Sequence, residues 1–198
     1  MGQNSSKIEI QADFSLFIIS ALSILLLPLK WVIAWLIASG IHELGHYIAL
    51  KIFRIHIHTV TFSHNGVIMH TEPIAIFPSL ICYLSGPLCG MLLLLGVYRF
   101  PHLAICGFFQ SLFNLMPIYP LDGGRALDAI LFTCFTDRVA IRMKRTIMWV
   151  TLCILFLISL HLSLRFDRGY VCFLVYSLLL LKVNPIKIPC KHRDQIVQ

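Results

Sequence analysis

Residues 31–50 read Trp-Val-Ile-Ala-Trp-Leu-Ile-Ala-Ser-Gly-Ile-His-Glu-Leu-Gly-His-Tyr-Ile-Ala-Leu, and Glu43 is the only formally charged side chain among these twenty. A membrane-spanning helix needs roughly 20 mainly apolar residues, so the stretch predicts such a helix. A carboxylate at that depth costs at least about 2.5 kcal/mol on insertion scales, and residues of this kind usually have a function. The stretch therefore predicts a membrane helix that carries a functional site.

The composition of the whole chain indicates a membrane protein. Of its 198 residues, 58% are hydrophobic and 13% are charged, and the mean hydropathy is +0.84. A soluble domain with so few charges would lack the polar surface that covers a core. The net charge of +7 comes without a basic patch interleaved with aromatic residues, which argues against a nucleic acid partner. The seven cysteines include no Cys-x-x-Cys pair, so neither a disulfide framework nor a thiolate zinc site is expected.

The apolar segments predict an all-α polytopic fold of about six transmembrane helices. Residues 1–183 would form this core, and residues 184–198 a short cytoplasmic tail. Residues 55–71 differ, because apolar and polar residues alternate around Asn65-Gly66, a dipeptide favoured in two-residue hairpin turns. They predict a small β-hairpin between the second and third spans. The six predicted spans are 14–29, 31–50, 74–98, 100–121, 146–164 and 169–183, of which the first and last are short.

The basic residues orient this bundle. If the N-terminus is inside, Lys30, Arg99, Arg165 and Arg168 lie in outside loops and the other twelve of the sixteen Lys and Arg residues lie inside. Cytoplasmic loops carry the excess of Lys and Arg, so both termini and the hairpin are expected on the cytoplasmic side. The chain is thus predicted to be a multi-pass protein of a bacterial cell membrane.

His42-Glu43-Leu44-Gly45-His46 carries the chemistry predicted for the second span. Residues four apart share one helix face, so His42 and His46 can bind one Zn²⁺. Glu43 between them can act as general base on a water at the metal. The alternative is that the three side chains form hydrogen bonds between helices, but the pattern favours a metal site.

Asp122 is the best candidate for a third ligand, since catalytic zinc usually takes three protein ligands and water. It follows Pro117 and Pro120, which cannot continue regular helical hydrogen bonding, and precedes Gly123-Gly124. Broken backbone at membrane depth is tolerated only against protein or a water-filled cavity. The second and fourth spans run in the same direction, so His46 and Asp122 are expected near the same, cytoplasmic depth. Asp122 could also cap a helix over 123–135, and Asp128 is a rival ligand.

These two motifs resemble those of the site-2 protease family of intramembrane zinc metalloproteases. The first is His42 to His46, and the second, over residues 114–125, contains Asn-x-x-Pro-x-x-Pro-Leu-Asp-Gly-Gly. Ser85-Gly86-Pro87 is similar to a small-residue Gly-Pro segment of that family. Within the family, the layout looks most like that of the bacterial protease that activates a sporulation sigma factor, without its C-terminal regulatory domain. The resemblance implies one Zn²⁺ per chain held by His42, His46 and Asp122, with Glu43 as catalytic base and Asn114 contacting the substrate or the transition-state oxyanion.

The predicted function is therefore that of a zinc metalloendopeptidase acting on membrane-embedded or membrane-associated proteins near the cytoplasmic face. Activation of a membrane-tethered transcription or sigma factor and control by an inhibitory membrane partner would fit the resemblance. An extended substrate could join an edge of the hairpin as an added strand. One alternative is a catalytically silent zinc-binding membrane protein that acts by partner binding, but structural zinc needs no base such as Glu43. A zinc transporter would place polar residues along two or more spans.

Overall fold

The computed structural model describes residues 9–12, 28–63, 66–71, 74–165 and 177. The chain divides into two compact units, Met1–Leu112 and Phe113–Gln198. The strands are β1 (Glu9–Ala12), β2 (Ile57–Ser63) and β3 (Gly66–Thr71). The helices are α1 (Leu29–Ile52), α2 (Ile76–Leu92, continued by a 3₁₀ turn over Leu93–Gly96), α3 (Pro101–Asn114), α4 (Asp122–Cys134) and α5 (Asp137–Arg165).

Two helical stretches of the described residues, Ile76–Gly96 and Asp137–Arg165, are long and apolar enough to cross a membrane. The first lies within the predicted third span, and the second covers the predicted fifth span. α1 contains the predicted second span as one helix but is not one of these two stretches. Nearly all of the predicted first and sixth spans lies outside the described residues, so the six-span layout stays a prediction. The helices expose large apolar side chains such as Trp35, Leu157 and Leu164. Such a surface suits a lipid environment.

The end of α1 follows from hydrogen bonding around Arg54, whose φ of 56° lies in the left-handed region. The Arg54 N–H donates to the Lys51 carbonyl at 3.1 Å and the Ile55 N–H donates to the Leu50 carbonyl at 2.9 Å. This pair of bonds is the Schellman motif that commonly ends helices. Ile55 also packs with Leu50 in the same apolar cluster. The helix therefore stops and turns the chain directly into β2.

The strands form one three-stranded sheet of order β1-β2-β3. β2 and β3 pair antiparallel over the segment for which strands were predicted, with Val60 opposite Met69. The intervening residues 64–65 lie outside the described part of the chain. β1 pairs parallel to the other side of β2, with Ile10 opposite Val60. The sequence did not predict β1, and its presence makes β2 the central strand.

Small residues let the helices of the first unit approach closely. A Cβ atom added to Gly45 in α1 would lie 2.6 Å from the Ser85 carbonyl oxygen and 2.9 Å from the Cys89 Sγ of α2. A Cβ atom on Gly107 in α3 would lie 2.8 Å from the Gly90 carbonyl oxygen of α2. Real Cβ atoms do not approach other atoms this closely, so only glycine fits these contacts. Such packing is typical of helix interfaces in membranes.

The predicted fourth span is shorter as a helix than the sequence indicated. α3 ends at Asn114, whereas the uncharged stretch runs on to Leu121. Pro117 has no N–H to donate to a helix, and proline also disfavours helical backbone in the residue before it. The segment 115–121 instead folds on itself, with the Leu121 N–H donating to the Ile118 carbonyl at 2.9 Å.

The core of the second unit holds this irregular segment in place. Ile118 is 1% exposed and packs with Met148 and Leu152 of α5. An ion pair also joins α4 to α5, with Lys144 Nζ 2.6 Å from Asp128 Oδ2. The same ammonium group lies 4.9 Å from the centre of the Tyr119 ring. The segment that precedes Asp122 is therefore fixed by α5.

Candidate metal centre

His42 and His46 stand on one face of α1, as their spacing predicted. Their Nε2 atoms lie 3.2 Å apart, and the ring centres are 4.9 Å apart at an interplanar angle of 81°. His42 is 3% exposed and His46 is half-buried. The two imidazoles thus direct their Nε2 atoms toward each other.

The second ring nitrogen of His46 determines which nitrogen is available to a metal. His46 Nδ1 lies 2.6 Å from the Cys82 carbonyl oxygen of α2. A carbonyl oxygen can only accept, so Nδ1 carries the proton and donates it. The lone pair of neutral His46 is then on Nε2. A hydrogen bond of this type orients metal-binding histidines and sets their tautomer.

The separation of the two Nε2 atoms fits a zinc ion. Zinc–nitrogen bonds measure about 2.0–2.1 Å in tetrahedral sites, which places two bound nitrogens about 3.3 Å apart. The observed distance of 3.2 Å agrees with this value. The donor set agrees as well, because imidazole and carboxylate are common zinc ligands.

Helix α2 shapes the pocket around His46. A Cβ atom added to Gly86 would lie 2.6 Å from Cε1 and 2.7 Å from Cδ2 of the His46 ring, so only a glycine leaves room for the imidazole. Ser85 Oγ donates to the same Cys82 carbonyl oxygen at 2.8 Å. The resemblance of Ser85-Gly86-Pro87 to a small-residue Gly-Pro segment gave no indication of this contact with His46. The Cys82 contact had no sequence signal, because a backbone oxygen makes it.

Glu43 follows His42 in the same helix and is half-buried. Its position inside the histidine pair is fixed by α1, which is continuous from Leu29 to Ile52. In the second unit, Asn114 is the last residue of α3 and is half-buried.

Asp122 is the first helical residue of α4, and Leu121 is its N-cap. The expectation that Asp122 caps this helix is therefore wrong. Its carboxylate lies in the first turn, where a negative charge interacts favourably with the helix dipole. The following glycines let the chain return closely: a Cβ atom on Gly124 would lie 2.6 Å from the Tyr119 nitrogen, and one on Gly123 would lie 2.7 Å from the Met116 carbonyl oxygen.

Asp128, the rival ligand, is buried and forms the ion pair with Lys144. The described residues that could hold a metal ion are His42, His46 and Asp122, each of which offers one ligand atom. The sequence also favoured these three ligands over Asp128, and their assignment as zinc ligands stays a prediction.

Comparison with known proteins gives three similarities. Residues 90–158 match the family model described as Peptidase family M50, a stretch that contains Asn114 and Asp122 but not the histidine pair. The zinc metalloprotease MJ0392 of Methanocaldococcus jannaschii is 29% identical over 143 residues, which are 63% of this chain and 42% of that protein. The chain therefore spans less than half the length of that curated relative.

The solved structure of a site-2 protease from Methanocaldococcus jannaschii is similar to most of this chain. The TM-score is 0.59 and the identity is 23%, over 95% of this chain and 96% of that one. At this identity the likeness concerns the fold.

Proposed function

We propose that this chain, which is similar to peptidase family M50 and to site-2 proteases, is a zinc metalloendopeptidase that cleaves membrane-embedded or membrane-associated proteins. The observation that carries the proposal is the pair of Nε2 atoms 3.2 Å apart with Glu43 between the two histidines in the chain. A metal that served structure alone would need the nitrogens but no acid beside them.

We assign His42, His46 and Asp122 as the protein ligands of one Zn²⁺ per chain. Two imidazoles and one carboxylate are a set used by catalytic zinc, which leaves a position for water or substrate. When bound, the zinc supplies Lewis-acid polarisation of water and of the scissile carbonyl. The Cys82 carbonyl keeps the His46 proton on Nδ1, so that Nε2 remains a ligand.

Glu43 is assigned as the general base and acid. Its carboxylate accepts a proton from the attacking water and later donates it to the nitrogen of the leaving amine. Asn114, at the end of α3, is assigned to hold the substrate carbonyl through its side-chain amide. Amide donors of this kind stabilise the negative charge that develops on the oxygen in the transition state.

The proposed substrate is an extended segment of a membrane protein, cut close to the cytoplasmic surface. The predicted six-span layout, with both termini in the cytoplasm, would place the site at the inner leaflet. A membrane-tethered transcription or sigma factor is one substrate of this kind, and an inhibitory membrane partner could control access. Mass spectrometry of the products locates the cut, and fragments ending in the outer half of the substrate helix would contradict the proposal.

Substrate binding is proposed at the sheet. In the described part of the chain β2 lies between β1 and β3, so an added strand would join at the outer edge of β1 or of β3. We expect Val60→Pro to lower turnover, because β2 is the central strand and proline removes a backbone hydrogen-bond donor. The loss of one backbone hydrogen bond corresponds to roughly a fivefold decrease. Zinc content should not change. Val60→Thr, which keeps strand propensity, is the control, and equal turnover in both variants would argue against a role of the sheet.

The decisive experiment separates the protease from a silent zinc-binding protein. Glu43→Gln keeps the size of the side chain and removes the base. We expect cleavage of a co-expressed membrane substrate to fall by about 10²–10⁴-fold, while the purified chain keeps its zinc as measured by elemental analysis. Asp137→Asn, an exposed acid of α5, is the matched control. Unchanged cleavage in Glu43→Gln would refute the proposal, and loss of zinc would place Glu43 among the ligands.

A further inference from the structure

α5 is longer than the membrane requires, and its excess length is basic. The helix has 29 residues, and its charged residues are Asp137, Arg138, Arg142, Lys144 and Arg145 at the start and Arg165 at the end. The uncharged residues 146–164 span about 28 Å at 1.5 Å per residue, close to the roughly 30 Å of a hydrocarbon core. The first nine residues of α5 therefore lie at the level of the lipid headgroups or beyond it.

Three arginines of this part share one face of the helix. At about 100° per residue, Arg138, Arg142 and Arg145 fall within an arc of about 60°. All three are exposed. Together with Ile141 and Thr146 they line a groove of about 380 Å³, here called the arginine groove.

The remaining basic residue of this part of α5 does not belong to the groove. Lys144 lies about 100° or more around the helix from each of the three arginines. Its Nζ atom is paired with Asp128 Oδ2 at 2.6 Å. The unit thus uses one cation to join α4 to α5 and directs three others to a different side of the helix.

We propose that the arginine groove binds the phosphate of an anionic lipid headgroup. The guanidinium group presents a planar fork of donors that matches phosphate oxygens, and three forks on one face can surround one phosphate. Arg145 directly precedes the uncharged stretch of α5, so the groove opens at the depth where lipid phosphates lie. Ile141 adds an apolar wall beside the arginines, which suits a headgroup attached to acyl chains better than free phosphate. The proposal requires no proteolytic activity.

The test measures lipid binding to the full chain purified in neutral detergent, by native mass spectrometry. Phosphatidylglycerol and phosphatidylcholine with the same acyl chains are added separately. We expect the wild type to bind phosphatidylglycerol more than roughly tenfold tighter than phosphatidylcholine. The triple variant R138Q/R142Q/R145Q should lose this preference, and the milder Arg142→Gln should lose roughly fivefold in affinity.

The matched control is K30Q/R99Q/R165Q, which removes the same number of exposed charges at other positions and should keep the preference. Equal loss in the control would reduce the effect to net charge and overturn the proposal. An unchanged preference in R138Q/R142Q/R145Q would overturn it as well. Inorganic phosphate is the third probe: if it displaces the lipid at equal concentration, the groove is a free-phosphate site and the lipid assignment is wrong. Circular dichroism of each variant checks that helicity is retained.

Discussion

The histidine pair stands on a regular helix, whereas Asp122 stands where a helix begins after seven residues without helical structure. In α1, the 3.2 Å between the two Nε2 atoms follows from a spacing of four residues, with α2 adding the final constraint. Asp122 is placed by the backbone of residues 115–121, which packs against the glycines behind it and against α5. The first arrangement depends on side chains meeting a ligand, and the second depends on backbone packing. Substitutions of the glycines that pack around each ligand should therefore act on metal affinity in the first region and mainly on stability in the second.

The largest effect is expected for the ligand of the irregular region. Asp122→Ala should weaken zinc binding by more than roughly 100-fold and abolish cleavage. Loss of a residue that only contacts a metal ligand costs up to about 100-fold in affinity, and loss of the ligand itself should cost more. Asp128→Asn is the comparison within α4. It should keep zinc and activity but lower the free energy of unfolding by about 1–3 kcal/mol, since it weakens a charged hydrogen bond. Zinc content and thermal unfolding of the purified variants measure both, and normal zinc content in Asp122→Ala would remove Asp122 from the ligand set.

The next largest effect on zinc affinity is expected for Gly86→Ala, which tests the contact of α2 with His46. Gly86→Ala places a methyl group against the His46 ring, 2.6 Å from Cε1 and 2.7 Å from Cδ2. We expect zinc affinity to fall by roughly 10–100-fold because the imidazole must turn away from the Cys82 carbonyl. Competition with a fluorescent chelator measures it.

Gly40→Ala is the control for this substitution, because nothing lies within 4 Å of the added Cβ. It should leave zinc affinity unchanged and stabilise α1 by about 0.5–1 kcal/mol. If Gly86→Ala binds zinc as tightly as Gly40→Ala does, α2 does not constrain His46.

The smallest effect on zinc affinity is expected from Gly124, which packs against the segment before Asp122 as Gly86 packs against His46. Gly124→Ala brings a methyl group to 2.6 Å from the Tyr119 nitrogen, so the segment before Asp122 must shift. Overpacking of this kind costs about 1–3 kcal/mol in unfolding free energy, with a smaller change in zinc affinity than Gly86→Ala causes. Denaturation in detergent and chelator competition give the two numbers. If Gly124→Ala lowers zinc affinity more than Gly86→Ala does, the contrast between a metal-affinity effect near His46 and a stability effect near Asp122 is wrong.

Much of the site could be predicted because short-range spacing determines it. The alternation within residues 55–71 predicted strands in the segment where β2 and β3 are found, and the four-residue spacing predicted the convergence of His42 and His46. The two prolines before Asp122 predicted a break in the fourth helix, although the uncharged stretch concealed that α3 already ends at Asn114. A proline marks where a helix cannot continue, but not how far before it the helix stops.

Other features depend on contacts between residues distant in the chain, which no local pattern reveals. The strand β1 forms by pairing with β2 some fifty residues later, and four residues have no strand signal of their own. Leu121 rather than Asp122 caps α4, because residues 115–121 pack on α5 before the helix begins.

The sequence by itself determined the lipid-facing character of the chain, the histidine pair with Glu43 and the irregular segment before Asp122. These depend on composition and on the fixed geometry of a single helix turn. Only the tertiary structure decided that the Cys82 carbonyl sets the tautomer of His46, that Gly86 makes room for its ring, and that Asp128 is held by Lys144. The physical reason is that a backbone oxygen, an absent Cβ atom and an ion pair act on a site only when another helix brings them into contact.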